Sequence, residues 1–141
     1  MKTWMLGAAA AAGLVLANLG ADRLTAADDK VPSIEDIMQK VNKRKGGLHS
    51  ELGDALKAGK IDWEAVQKNT KEYAAFAEFL GKNDPPKGSK ASWERLTKTY
   101  ADDAKTLHEA AEKKDKTALA AAHKKLSGEC MGCHRQHRPM K

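Results

Sequence analysis

The chain has 141 residues and a formal net charge of +6, from 25 Lys and Arg against 19 Asp and Glu. This length suits one domain and excludes a multidomain machine. Aromatic residues make up only 5% of the chain, and a core this poor in rings often depends on a covalent staple or a large ligand. The positive charge forms no concentrated stripe, so we expect no nucleic-acid partner.

The first 27 residues have the pattern of an export signal. Lys2 gives a positive start, an apolar stretch rich in Ala and Leu follows, and residues 25–27 offer small side chains to a signal peptidase. The apolar stretch is shorter than the roughly 20 residues of a membrane-spanning helix, which favours cleavage over an uncleaved anchor. We therefore predict a signal peptide at residues 1–27 and a mature domain at residues 28–141. This domain would be periplasmic or otherwise extracytoplasmic, with no stable membrane insertion.

From Ser33 onward the chain reads as helical. Apolar residues recur there at spacings of three and four, and no alternating run is long enough to indicate a strand. The first predicted helix begins at the N-cap Ser33 and ends at Gly59. Because two adjacent glycines cost a helix about 1–2 kcal/mol, a kink or local break is expected at Gly46-Gly47.

A long connection separates the next two predicted helices. The second helix has Asp62 as its N-cap and Gly81 as its end. Residues 81–91 include two prolines and two glycines, so they cannot continue a helix. The third helix is predicted to begin at the cap Ser92 and to end in the polar run 112–114.

The fourth predicted helix begins at the N-cap Asp115 and ends before Pro139. Connections on both sides of the long loop are short, so sequential helices should run in opposite directions. The predicted fold is therefore all-α, an antiparallel up-down-up-down four-helix bundle.

The two cysteines of the chain stand in the sequence Cys130-Met131-Gly132-Cys133-His134. Two cysteines separated by two residues and followed at once by histidine match the c-type haem attachment pattern. On one side of a helix, both sulfurs can reach the vinyl groups on one edge of a porphyrin while the imidazole points at the iron. We predict one covalently attached haem c near the end of the last helix. Cys130 and Cys133 would form the thioethers, and His134 would be the proximal iron ligand.

Two other interpretations of these residues fit less well. A zinc ion could use Cys130, Cys133, His134 and His137, but ligands on one short helix cannot surround a tetrahedral ion. A redox-active dithiol normally sits at a helix N-terminus after a strand, whereas these cysteines are near a helix C-terminus. An oxidising compartment also leaves few cysteines as free thiols, which again favours haem attachment.

The motif and its setting resemble the class II cytochromes c, which include cytochrome c-prime. The likeness rests on the domain length, the four helical segments, the proline-containing loop and the placement of Cys130-x-x-Cys133-His134 in the last helix. Gln136-His137-Arg138 is similar to that family's tail of a ring-bearing residue followed by a basic one. An early Met38, with a histidine near the end of the last helix, also resembles the related b-type bundle cytochrome. The resemblance implies a four-helix-bundle haem protein.

The ligand opposite His134 decides the function of such a protein. A haem between His and Met gives an electron carrier of higher potential, and a haem between two His gives one of lower potential. A haem with an open position binds small gases. Met38 is the best candidate, because the start of the first helix lies close to the end of the fourth in this topology. A core methionine that only fills space beside the porphyrin is the other interpretation. We expect single-electron transfer, with a five-coordinate haem that binds NO or CO as the alternative.

The remaining histidines are weaker candidates for the iron. His49 and His108 are predicted to be surface residues. His123 lies eleven residues before His134 on nearly the same helix face, so it either lines the bundle above the haem or is a partly exposed histidine.

Positive residues surround the motif-bearing end of the last helix. They form either a solvated face that offsets the negative charge of the haem propionates or a docking rim for an acidic redox partner. In the second case, added salt would slow the association of the two proteins. The apolar helix faces fit a monomer or a homodimer. No nucleophile and base are paired, so we expect no enzyme. The residues that carry this charge are Lys124, Lys125, Arg135, Arg138 and Lys141.

Overall fold

A computed structural model describes residues 30–139. Every regular element in that range is a helix, so the predicted all-helical class is confirmed. The signal peptide predicted at residues 1–27 lies outside the described residues. Between residues 30 and 139, no helix has the length and apolarity that crossing a membrane requires. The helices are α1 (Ile34–Asn42), α2 (Leu48–Lys57), α3 (Trp63–Leu80), α4 (Lys90–Glu112) and α5 (Lys116–His137).

The first predicted helix is two helices, with the break at the expected glycines. Gly46 has φ +75°, a backbone conformation that favours glycine. Gly47 is buried at the start of α2, where a Cβ atom would lie 2.5 Å from the backbone oxygen of Lys43. The break lets the buried Val41 of α1 and Leu48 of α2 reach one core from two helix directions.

Three predicted N-caps are confirmed. The Ser33 Oγ accepts a hydrogen bond of 3.1 Å from the Asp36 backbone N–H at the start of α1. Asp62 accepts one of 3.2 Å at the start of α3, and Asp115 accepts one of 2.9 Å at the start of α5. These side chains satisfy N–H groups that have no partner inside the helix.

The predicted start of the third helix at Ser92 is wrong. The helix, α4, begins three residues earlier, because Gly88 turns the chain with φ +80° and Ser89 then caps it. The Ser89 Oγ accepts a hydrogen bond of 3.2 Å from the Ser92 N–H. The Ser92 hydroxyl donates across to Gln136 Oε1 at 2.6 Å, so it links α4 to the end of α5.

The helices pack around α3 and α4. α3 contacts α4, α4 contacts α5, and both α1 and α2 lie against α3, while α2 also touches α5. Ser92 at the start of α4 bonds Gln136 at the end of α5, and Asp103 in the middle of α4 bonds Lys125 in the middle of α5. α4 and α5 therefore run in opposite directions. The largest fully buried side chains are those of Ile37, Val41, Leu52, Thr70, Tyr73, Leu107, Leu119, Leu126 and His137.

Among the helix pairs that do not contact each other, α1 and α5 matter for the site. The backbones of α1 and α5 make no contact with each other, although each packs against other helices. The fold therefore leaves a gap between the helix that carries Met38 and the helix that carries the cysteine motif.

The packing at Gly47 gives a prediction about stability. Gly47→Ala should lower the free energy of unfolding by about 1–3 kcal/mol, because the new methyl group collides with backbone atoms of Lys43. Urea titration followed by circular dichroism measures the loss. Gly128→Ala is the matched control. Its Cβ meets nothing within 4 Å, so this variant should be slightly more stable by about 1 kcal/mol. Equal midpoints for Gly47→Ala and the parent protein would contradict the role given to this glycine.

Candidate haem site

A cavity of about 580 Å³ fills the gap between α1 and α5. This size falls within the roughly 300–1,000 Å³ that is usual for cofactor sites. A smaller recess of about 140 Å³ adjoins it and shares Met38, Asn42, Leu80 and Cys133 with its lining. The side chains that line the larger cavity include Ile34, Met38, Leu80, Trp93, Cys133 and His134.

The recess extends the cavity towards Tyr100. It is lined by Cys130, Glu129 and Tyr100 in addition to the shared residues. Cys133 therefore faces both spaces, and Cys130 faces the recess. Both cysteine side chains therefore border the space in which a cofactor would be held.

The end of α5 is fixed by the loop before α4. His137 is 2% exposed, and its Nδ1 donates a hydrogen bond of 2.8 Å to the Lys87 carbonyl oxygen. The Trp93 ring packs edge-on against His137 with centroids 5.2 Å apart, and the Trp93 Nε1 donates to the Asn83 carbonyl at 2.7 Å. These contacts hold the turn of α5 that carries His134 against α4.

The two thiols are half-buried and neutral. Burial, together with the nearby Glu129 charge, raises the pKa of Cys130 above its ordinary value. Burial and then Cys130 raise the pKa of Cys133. A redox-active dithiol needs a lowered thiol pKa, so these pKa directions argue against the dithiol interpretation. Both thiols are available for covalent attachment, since neither forms a disulfide.

His134 lines the cavity as a neutral imidazole. Burial, and then the charge of Arg138, lower its pKa below the ordinary value. Only the neutral ring has a free nitrogen lone pair, so burial favours the form that can coordinate iron. The residues in the gap thus supply two thiols, one imidazole and apolar walls, and this donor set fits a covalently attached haem.

Met38 lies on the α1 side of the same cavity. It is partly buried, and its Sδ accepts a hydrogen bond of 3.4 Å from the Asn42 Nδ2 one turn later. The structure therefore brings Met38 and His134 to one cavity from two different helices, as the sequence predicts. Their metal coordination stays a prediction.

The zinc interpretation gains no support from the geometry. His137 also lines the cavity, but its Nδ1 bonds Lys87 and its Nε2 lies 3.1 Å from the Ser92 Oγ. In the part of the chain from residue 30 to 139, no three His, Cys, Asp or Glu side chains are grouped to hold a metal ion.

His49 and His108, which are predicted to be surface residues, are partly buried and make side-chain contacts with other helices. The His49 Nδ1 lies 3.2 Å from the Tyr73 hydroxyl, its Nε2 lies 2.8 Å from the Ser127 Oγ, and its ring stacks on His123 at 4.0 Å. The His108 Nδ1 lies 3.0 Å from the Oγ1 of the buried Thr70. Helical periodicity does not reveal such bonds, because they join side chains far apart in sequence. His123 does not line the cavity, and its Nε2 donates to the His49 carbonyl at 3.0 Å.

A carboxyl pair lies beside the recess. Asp103 of α4 accepts a hydrogen bond of 2.6 Å from Lys125. Asp103 Oδ2 and Glu129 Oε2 are buried, and no N–H group or hydroxyl bonds either of them. Burial raises the pKa of Glu129 to about 7, with a further contribution from Asp103. Although burial acts to raise it, hydrogen bonds with Glu129 and Lys125 hold the pKa of Asp103 below its ordinary value. These directions favour the protonated form for Glu129 and the carboxylate form for Asp103. Nothing in the sequence pattern marked this pair.

Comparisons of the chain with protein-family models, with curated proteins and with solved structures find no match.

The burial of His49 predicts a pH-dependent stability. Burial, and then the charge of His123, lower the pKa of His49 from 6.5 to about 4. The unfolded chain therefore binds a proton at this residue below pH 6.5 that the folded protein takes up only near pH 4. The free energy of unfolding should fall as the pH is lowered through that interval. Urea unfolding at a series of pH values measures this loss.

The variant His49→Gln should reduce the loss, since glutamine cannot take up the proton but can still bond Tyr73 and Ser127. His108→Gln is the control and should keep the pH dependence of the parent protein. If His49→Gln unfolds with the same pH dependence as the parent protein, the lowered pKa is not the cause.

Proposed function

We propose that this protein is an exported monohaem cytochrome c of the class II type, which transfers single electrons between partners. The observation that carries the proposal is the placement of Cys130, Cys133 and His134 along a cavity of about 580 Å³ and its adjoining recess. When bound, haem c would supply a reversible one-electron couple at its iron.

Each residue of the motif has a distinct role in this proposal. The Cys130 and Cys133 sulfurs hold one edge of the ring through thioether bonds. His134 is the proximal ligand, and the contacts of His137 and Trp93 fix the helical turn that carries it. The apolar side chains of Ile34 and Leu80 keep water from the ring, which favours electron transfer over side reactions.

The proposed fold is an up-down-up-down four-helix bundle in which α1 and α2 together form the first helix. Hydrogen bonds between neighbouring helices support this topology. Thr70 meets His108 and Tyr73 meets Tyr100, so residues later in α3 pair with residues earlier in α4. In this bundle the start of α1 and the end of α5 lie at the same end, around the cavity.

Met38 is the proposed distal ligand. It lines the cavity with His134. His49 and His123 do not line the cavity: His49 lies against the Tyr73 hydroxyl, and His123 donates to the His49 carbonyl oxygen. A His and Met pair would give a carrier of higher potential than two histidines. The hydrogen bond from Asn42 occupies one sulfur lone pair and leaves the other for iron.

We place the mature protein in the periplasm or another extracytoplasmic space, where an acidic redox protein would be its partner. Lys124, Lys125, Arg135 and Arg138 are exposed around the motif-bearing end of α5. Between them Met131 is 57% exposed, so this end offers an apolar contact inside a positive rim. Such a rim accelerates association with an acidic surface.

Covalent attachment can be tested directly. In the protein produced by cells that can attach haem to exported proteins, the haem should stay with the polypeptide during acid-acetone extraction. The double variant Cys130→Ala, Cys133→Ala should release all of it, because no thioether remains. Met131→Ala is the control inside the same motif and should keep the haem. Haem that passes into the solvent from the parent protein would overturn the proposal.

The distal ligand is tested by spectroscopy. With Met38 bound, the reduced protein should have a low-spin visible spectrum and bind carbon monoxide only slowly at neutral pH. Met38→Ala should give a high-spin spectrum and rapid carbon monoxide binding, because it opens the sixth position. Met131→Ala, a methionine with an exposed side chain, should resemble the parent protein. A high-spin parent spectrum that Met38→Ala leaves unchanged would instead indicate the gas-binding alternative.

A further inference from the structure

A continuous hydrogen-bond chain leads from the cavity to the protein surface. Tyr100 lines the recess and is 2.8 Å from the Tyr73 hydroxyl, oxygen to oxygen. The Tyr73 hydroxyl is 3.2 Å from His49 Nδ1, and His49 Nε2 is 2.8 Å from the Oγ of the exposed Ser127. Four side chains from α2, α3, α4 and α5 thus form one chain with one end at the cavity and the other at solvent.

The direction of every hydrogen bond in this chain follows from its outer end. The Ser127 hydroxyl has one proton and donates it to the His123 carbonyl oxygen at 3.0 Å. With that bond made, Ser127 accepts from His49, and we assign the proton of the neutral imidazole to Nε2. His49 Nδ1 then accepts from Tyr73, and the Tyr73 oxygen accepts from Tyr100.

This polarity leaves the Tyr100 oxygen as an acceptor on the cavity side, since its own proton points to Tyr73. A proton delivered to Tyr100 from the cavity can be passed outward in one direction. Tyr100 gives its proton to Tyr73, Tyr73 gives its proton to His49 Nδ1, and His49 gives the Nε2 proton to Ser127 and water. One proton leaves the cavity, one reaches solvent, and every group in the chain ends neutral.

We propose that Tyr100, Tyr73, His49 and Ser127 form a proton path that carries a proton from the haem cavity to solvent when the haem is oxidised. This inference rests on the proposed haem function. The proton donor in this proposal is the Glu129 carboxyl group, because it lines the same recess as Tyr100 and its Oε2 is buried with no N–H group or hydroxyl bonded to it. Loss of an electron adds positive charge to the cavity, and this charge favours the carboxylate form of Glu129.

The charged groups around the path are consistent with this direction. Burial is the largest cause that raises the pKa values of both tyrosines, and the Glu129 charge adds to it. Both hydroxyls therefore stay protonated at neutral pH. At its outer end His49 is stacked on His123. Asp103 and Lys125, which face Glu129 from α4 and α5, offer the rival exit.

The test is proton release during oxidation of the reduced haem protein. The protein is mixed with ferricyanide near pH 7 in weakly buffered solution, and haem absorbance is followed together with a pH-indicator dye. In the parent protein, proton release should keep pace with haem oxidation. In Tyr73→Phe, haem oxidation should be unchanged while proton release becomes about tenfold slower, equivalent to a barrier about 1.4 kcal/mol higher.

Two variants separate the donor from the path. Glu129→Gln should lower the number of protons released per haem, because the donor is lost, whereas Tyr73→Phe should leave that number unchanged. Thr70→Val is the matched control. It removes another buried hydroxyl of α3 that bonds a histidine, one turn away from Tyr73 and outside the chain. Its release rate should equal that of the parent protein.

Several outcomes would overturn the path. The path is overturned if proton release in Tyr73→Phe keeps pace with haem oxidation. It is also overturned if only Asp103→Asn slows the release, since the proton would then leave past Lys125. Failure of the haem proposal is distinguishable from these results, because a chain without covalent haem gives no haem absorbance at all.

A second measurement needs no haem. Nitrogen NMR of His49 in the full chain should show the proton on Nε2, and Tyr73→Phe should shift the Nδ1 signal. A proton on Nδ1 in the parent protein would reverse the polarity of the chain and overturn the inference.

Discussion

The separation of α1 from α5 is the constraint on which the rest of this structure depends. α1 packs against α3 and α5 packs against α4, but α1 and α5 do not contact each other, so a gap lies between them. The gap is stabilised at one end by the bonds from His137 and Trp93 to the loop before α4. A chain so poor in aromatic residues has little material to fill that space, and a porphyrin would supply the missing apolar surface.

Much of the fold could be predicted from the sequence, because local signals and tertiary packing agree in most places. The caps Ser33, Asp62 and Asp115 each precede an apolar helical repeat, and each caps a helix in the structure. The start of α4 is ambiguous in the sequence. Ser89 and Ser92 both have the chemistry of a cap, and only the turn at Gly88 and the pairing of Ser92 with Gln136 decide between them.

The site divides in the same way. Cys130, Cys133 and His134 are adjacent in sequence, so their spacing alone predicts their shared role, and the structure places them at one cavity and its recess. The chain from Tyr100 to His49 and the pair of Asp103 with Glu129 could not be predicted. Each joins residues from different helices, and a periodic pattern states which face a residue occupies but not which side chain it meets.

Trp93 has a consequence beyond holding α5 in place. It is 3% exposed and lines the cavity, whereas Trp63 at the start of α3 is only partly buried and lies outside that lining. A porphyrin in the gap would absorb the energy of an excited indole beside it and quench its emission. The emission of Trp93 would then be quenched more strongly than that of Trp63, so a change in the Trp93 emission would report whether the gap is filled.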